Sequence, residues 1–247
     1  MNSAFTIKDW SAFAPGLSGK EEWMAWAAFP FLPCGDATPA LSEMPPMQRR
    51  RVDKLGRMAL QVAWWCQQAQ AHDVPLVFSS RHGDMARTYE MLCALAQGES
   101  LSPTHFGLST HNAIAAQYSI ARQLGGNYLC VSAGVTGAEA AVIEALALLA
   151  NGNDEVLVVV YDCSLPDAYA NYIDEPEAAY AWAVRLGRPG DDGSRFSLEV
   201  GGDPAGTSHQ ATNLLPHGLE VLGFLIGDQA TLDFQENGRS WRWQRHA

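Results

Sequence analysis

The chain reads as an α/β protein, and three features predict that class. Short apolar runs, Pro75-Leu76-Val77-Phe78-Ser79, Tyr128-Leu129-Cys130-Val131-Ser132 and Glu155 to Tyr161, lack the alternation of a half-exposed sheet and read as strands buried on both faces. They are interleaved with stretches whose apolar residues recur at three- and four-residue steps, the spacing of helices. A chain of 247 residues is long enough for one sizeable core, and nothing in its composition demands a second domain. Together these features predict a largely parallel sheet covered by helices on both faces.

Element by element, Phe5 to Phe13 is an opening strand, followed by a Gly/Pro-containing connection and the tryptophan-rich Glu22-Trp23-Met24-Ala25-Trp26. Pro45 and Pro46 precede one long helix from Met47 to about Ala71, with Val52, Leu55, Met58, Ala59, Val62 and Trp65 on its apolar stripe. Met85 to Gln97 and Asn112 to Leu124 are helices separated by a loop, Ser102 to Asn112, and Gly137 to Asn151 is a helix between the second and third apolar strands. After Asp162 the pattern changes. Tyr180 to Leu186 and Arg195 to Val200 alternate like antiparallel strands, with a Gly/Pro/Asp turn from Gly187 to Gly193 between them. A helix from Ser208 to Leu225 is interrupted at Pro216-His217-Gly218, and Asn237-Gly238 marks a hairpin between Asp233-Phe234 and Trp241-Arg242-Trp243.

Composition excludes several functions. The formal charge of −11, from 27 acidic and 16 basic residues, argues against binding to nucleic acid or to an anionic membrane surface. There is no apolar run of bilayer length and no secretory pattern at the start, so the expected location is cytoplasmic. The five cysteines are scattered and never spaced Cys-x-x-Cys, which speaks against a disulfide framework or a zinc site. Cys66, Cys93 and Cys130 read as packing residues. His82, His105 and His111 have no carboxylate or cysteine at ligand spacing, so no metal is expected. Gly134 and Gly137 lack the lysine or the full glycine pattern of a nucleotide loop, and no cofactor is expected either.

The most informative stretch is Ser132-Ala133-Gly134-Val135-Thr136-Gly137-Ala138, where a strand runs into a helix. Such a turn lifts one side chain clear of the backbone and aims helix amides at developing negative charge, an arrangement suited to a nucleophile. Its central residue, Gly134, has no side chain to offer. Read together with Ser80-Arg81-His82-Gly83 and Ser109-Thr110-His111-Asn112-Ala113, the turn resembles the N-terminal half of the β-ketoacyl synthases of the thiolase fold. Within that family it is most similar to the short chain length factors of bacterial aryl polyene clusters. The resemblance is strongest over residues 5–162, and 163–247 is a divergent tail of a single 1–247 domain.

The resemblance implies a thiolase-like fold truncated to about one half. In the family, the cysteine at the position of Gly134 accepts the acyl chain, and two second-half histidines assist decarboxylation. His209, His217 and His246 do not match the histidine motifs. The implied function is a non-catalytic subunit that forms a heterodimer with a full-length catalytic ketosynthase and meets acyl carrier protein only indirectly. The resemblance further implies that Thr104, His105, Phe106, Leu108, Thr110, His111 and Asn112 lie at the partner interface, where either tunnel shaping or plain packing is open. Arg49, Arg50 and Arg51 are either a carrier-protein docking face or a solvated surface. The alternative is a stand-alone acyltransferase or hydrolase using Ser132 or Cys130.

Overall fold

The computed structural model describes residues 2–67, 74–202 and 214–246. In chain order the elements are β1 (Asn2–Phe13), α1 (Lys20–Ala28), α2 (Pro46–Arg49), α3 (Lys54–Gln67), β2 (Leu76–Ser79), α4 (Met85–Ala96), α5 (Pro103–Ser109) and α6 (Ala113–Arg122). There follow β3 (Tyr128–Val131), α7 (Gly137–Ala150), β4 (Glu155–Asp162), a 3-10 turn (Asp167–Tyr172), β5 (Tyr180–Gly187), β6 (Ser194–Gly202), α8 (His217–Ile226), β7 (Thr231–Glu236) and β8 (Arg239–His246). All eight strands form one sheet in the order β3-β2-β4-β5-β1-β6-β8-β7.

The α/β class and the thiolase-like layering stand, but the sheet is not largely parallel. Only β3-β2-β4 run parallel, each step bridged by a helical crossover, whereas every pairing from β4 to β7 is antiparallel. The alternating strands β5 and β6 are not a hairpin, because β1 lies between them and pairs with both. Local propensity near a Gly/Pro turn does not reveal that a distant N-terminal strand claims the gap. The closing hairpin does form on Asn237 (φ 50°) and Gly238 (φ 73°), the positive-φ pair that a two-residue turn demands.

Two helices replace the long one expected from Met47. Residues 50–53 break it, and Asp53 accepts the Gly56 amide at 2.9 Å to cap the new helix α3. The expected extension to Ala71 and the helix start at Ser208 lie outside the described residues. The expected loop at 102–112 contains helix α5, with Pro103 in its first turn and Ser102 accepting the His105 amide.

Alternate residues of β4 feed two cores. Val156, Val158 and Val160 pack with α7, α8 and the tryptophans Trp23, Trp26, Trp182 and Trp243. Leu157, Val159 and Tyr161 pack with α3 and α6 on the other face. That is why this strand reads as a continuous apolar run.

Candidate functional site

The strand ends that would hold a nucleophile are built by the turns after β2, β3 and β4. Gly134 sits at φ +57°, exposed, and a Cβ placed there would meet nothing within 4 Å. Glycine adopts this left-handed conformation at no steric cost, so the turn keeps its raised shape without presenting a functional group. The carbonyl of Gly137, which opens α7, accepts the buried Ser79 hydroxyl at 2.9 Å, and a Cβ on Gly137 would stand only 2.9 Å from that hydroxyl oxygen. The turn is thereby seated directly on β2.

The alternative nucleophiles are poorly placed. Burial pushes the Cys130 thiol up to about 11, which keeps it protonated. Ser132 donates its hydroxyl proton to the Arg81 carbonyl at 2.8 Å, a backbone acceptor rather than a base. Among the described residues no three His, Cys, Asp or Glu side chains gather as a metal site.

A dense polar hub lies beneath the turn. Ser80 Oγ donates to Asp162 at 2.9 Å, the Arg81 amide donates to the same carboxylate oxygen at 2.9 Å, and the Gly83 amide donates back to Ser80 Oγ at 2.9 Å. Burial dominates at Asp162 and, against these donors, pushes its carboxyl up to about 7. His111 places Nε2 3.0 Å from the Ser80 carbonyl, and its ring packs against Gly83. The two sequence segments that carried the family resemblance are thus in direct contact.

The residues expected at an interface fall on one edge. Thr104, His105 and Phe106 are exposed on α5, with Phe106 62% exposed; Leu108 is half-buried, Thr110 caps its own helix by donating to the Gly107 carbonyl at 2.9 Å, and Asn112 stands at the start of α6. Around them Ile120 on α6 is 67% exposed, and Leu92, Leu95, Leu129 and Ile143 also reach solvent. The arginine cluster divides: Arg49 is tied to the Leu41 carbonyl at 3.2 Å, while Arg50 and Arg51 remain exposed.

The residues that sequence reasoning missed form a buried ion pair. Glu139 on α7, fully buried, accepts from His217 Nε2 at 2.7 Å and from Trp243 Nε1 at 2.9 Å. Burial opposes the imidazolium, but Glu139 and Glu220 outweigh it and push His217 up to about 10. The ring also stacks on Phe234, with centroids 3.6 Å apart. A glutamate inside Gly137-Ala138-Glu139-Ala140-Ala141-Val142 was the available signal, since a carboxylate on the buried side of an apolar helix requires a partner.

The model of the β-ketoacyl synthase N-terminal domain matches residues 23–244. The chain belongs to the β-ketoacyl synthase family. A chain of the ketosynthase (ApeO) complex with its chain length factor (ApeC) from Xenorhabdus doucetiae is similar at 30% identity and TM-score 0.83, over 98% of this chain and 99% of that one. The ishigamide ketosynthase/chain length factor shares the fold at 16% identity and TM-score 0.64, over 81% of this chain and 68% of that one. The ketosynthase from module 6 of the bacillaene synthase of Bacillus subtilis, at 14% identity and TM-score 0.57, is matched over 85% of this chain but only 43% of its own. Among curated proteins no sequence matches. The chain thus matches between 43% and 99% of the length of these three structures, and the family match reaches through the C-terminal strands. No helix among the described residues is long and apolar enough to cross a membrane.

Proposed function

We propose that this chain is a non-catalytic, ketosynthase-like chain length factor that forms a heterodimer with a full-length catalytic ketosynthase. It would stabilise that enzyme and bound its acyl tunnel in aryl polyene, fatty-acid-like polyketide synthesis. The observation that carries the reading is the unfinished β3 edge. β3 is a four-residue outermost strand with no fully buried residue, and the adjoining helices present Leu95, Phe106, Ile120 and Ile143 to solvent. Helix α7 is apolar almost all round, a pattern that suits a helix covered on every side. A rim of exposed aromatic and branched residues of this extent marks a protein interface.

The similarity to a chain in the ApeO–ApeC complex, end to end, supports the same assembly for this protein. Glycine at the nucleophile position and a Ser132 hydroxyl that donates to a backbone carbonyl support a pseudoenzyme. Thr104, His105, Phe106 and Leu108 are the residues this reading assigns to the partner's tunnel, with Thr110, His111 and Asn112 at the interface behind them. Arg50 and Arg51 are the contact it retains for an acidic carrier protein.

Native mass spectrometry of the protein purified with its co-expressed ketosynthase tests the proposal. A one-to-one complex that incorporates malonyl units, with no fluorophosphonate or acyl adduct on this chain, is the expected result. A stable monomer or homodimer beside free ketosynthase, or an adduct on Ser132 or Cys130, overturns it.

A further inference from the structure

The guanidinium of Arg81 ties the hub under the Gly134 turn to the segment that holds the start of α8. Its backbone carbonyl takes the Ser132 hydroxyl and its amide binds Asp162. Its side chain, only 12% exposed, forks between Asp174 and Glu175, with Nη1 2.9 Å from Glu175 Oε1. The other oxygen of Glu175, Oε2, accepts the His217 amide at 3.0 Å, and His217 in turn holds Glu139 and so Trp243 on β8. Cavity space beside this fork amounts to about 30 Å³, room for water rather than for an organic ligand.

We infer that Arg81 and Glu175 are positioning residues for partner binding: they clamp the 80–83 turn against the C-terminal elements and thereby fix His111, from which α5 and α6 extend toward the partner. The inference rests on the proposed heterodimer for its functional use. The geometry explains the choice of side chain. Arginine reaches two carboxylates with a planar fork, which a single ammonium does not reproduce. Three contacts at one residue, Ser132 to its carbonyl, Asp162 to its amide and the acidic pair to its side chain, leave the turn one orientation. His111 reads that orientation through the Ser80 carbonyl next door.

The test combines hydrogen exchange on the isolated full-length chain with its affinity for the co-expressed ketosynthase. In Arg81→Gln, amide exchange in residues 105–112 should rise at least tenfold while that of β4 and β5 is unchanged, and affinity for the ketosynthase should fall about tenfold. Arg81→Lys should recover part of both effects. Should Arg81→Gln fail to fold, Glu175→Gln keeps an acceptor for the His217 amide, removes only the charge facing Arg81, and must show the same exchange pattern. Unchanged exchange at 105–112 in a folded variant overturns the inference. Raised exchange in a chain whose wild type binds no ketosynthase supports the positioning and overturns the heterodimer instead.

Discussion

The two ends of the sheet differ in what lies behind the edge strand and in the charge the edge strand carries. At the β6-β8-β7 end, Phe5, Phe196, Phe224, Trp182 and Trp243 are buried together, and even a charged pair, Glu139 and His217, is sealed inside with its hydrogen bonds made. At the β3 end, where as in β7 no residue of the edge strand is fully buried, Phe106 and Ile120 on the neighbouring helices face solvent. The outermost strand β7 carries Asp233, paired with Arg242 at 2.6 Å, a charge that discourages further strand pairing. No comparable charge lies on Tyr128-Leu129-Cys130-Val131. One edge ends on a charged, paired strand and is the closed end; the other, open edge is the one the proposed heterodimer would cover.

The sharpest way to break this comparison is to damage the closed end. His217→Ala leaves Glu139 buried and uncompensated, and should cost about 3–5 kcal/mol in urea unfolding. A loss under about 1 kcal/mol would mean that the closed end does not depend on its ion pair. The pH dependence follows from the direction of each shift. The folded pKa of His217, about 10, lies above its unfolded value near 6.5, so its contribution is full below about pH 6.5 and is lost as pH rises through 10. Glu139 is depressed in the folded state, since His217 and Trp243 outweigh its burial; its contribution is present above its usual carboxylate range and is lost as pH falls. His217→Gln should abolish the alkaline limb of the urea midpoint between pH 7 and 10.

Asp162 marks the boundary between the two ends and gives the next largest effect. Its folded pKa, about 7, is raised above the unfolded value, so its contribution is full below about pH 4 and is lost as pH rises through 7, where the buried carboxylate ionises. Asp162→Asn removes that ionisation while keeping an acceptor for Ser80 and Arg81. Between pH 5 and 8 the variant should gain on the wild type by about 2–4 kcal/mol, at about 1.4 kcal/mol per unit of pKa difference. A difference independent of pH in paired urea titrations would show that Asp162 is already solvated or ionised throughout.

Substitutions at the open end should separate binding from folding. Phe106→Asp and Ile120→Asp place charges where the isolated chain already meets water, so stability should change by less than about 0.5 kcal/mol. Affinity for the ketosynthase should fall by about tenfold to a hundredfold, measured by titration of the partner. Equal losses in folding and binding would erase the distinction between the ends.

How far the sequence reveals these two ends depends on the range of the forces involved. Local patterns gave β2, β3, β4, α7 and the Asn237-Gly238 hairpin nearly residue for residue, because periodicity and turn chemistry act within a few positions. Pairing order was illegible: β1 between β5 and β6 joins residues about 180 positions apart, and no local rule states it. The segment 102–112 is visible in the sequence as part of a family resemblance, while its helix rests on Pro103 and the Ser102 cap, two residue types as common in loops as at helix starts. No local pattern ties His217 to Glu139, 78 residues earlier, because their pairing is made by tertiary packing of α7 on α8.

The smallest predicted effect concerns the turn that gives the family its chemistry. At Gly134 the space around a Cβ is open, so the cost of Gly134→Ala is conformational alone, about 1–2 kcal/mol for an L-residue held at φ +57°. Gly134→Cys should cost the same and, on the proposed reading, gain no condensing activity, since His217 is committed to Glu139. The two measurements sharpen the comparison from the middle of the sheet. If the alanine variant unfolds at the wild-type urea concentration, the turn relaxes freely and its shape is not imposed by Ser79 beneath Gly137. If it is destabilised by the full amount, Ser79 beneath Gly137 holds the turn rigid although Gly134 presents no side chain, the rigidity that the proposed scaffold for a partner's active site requires.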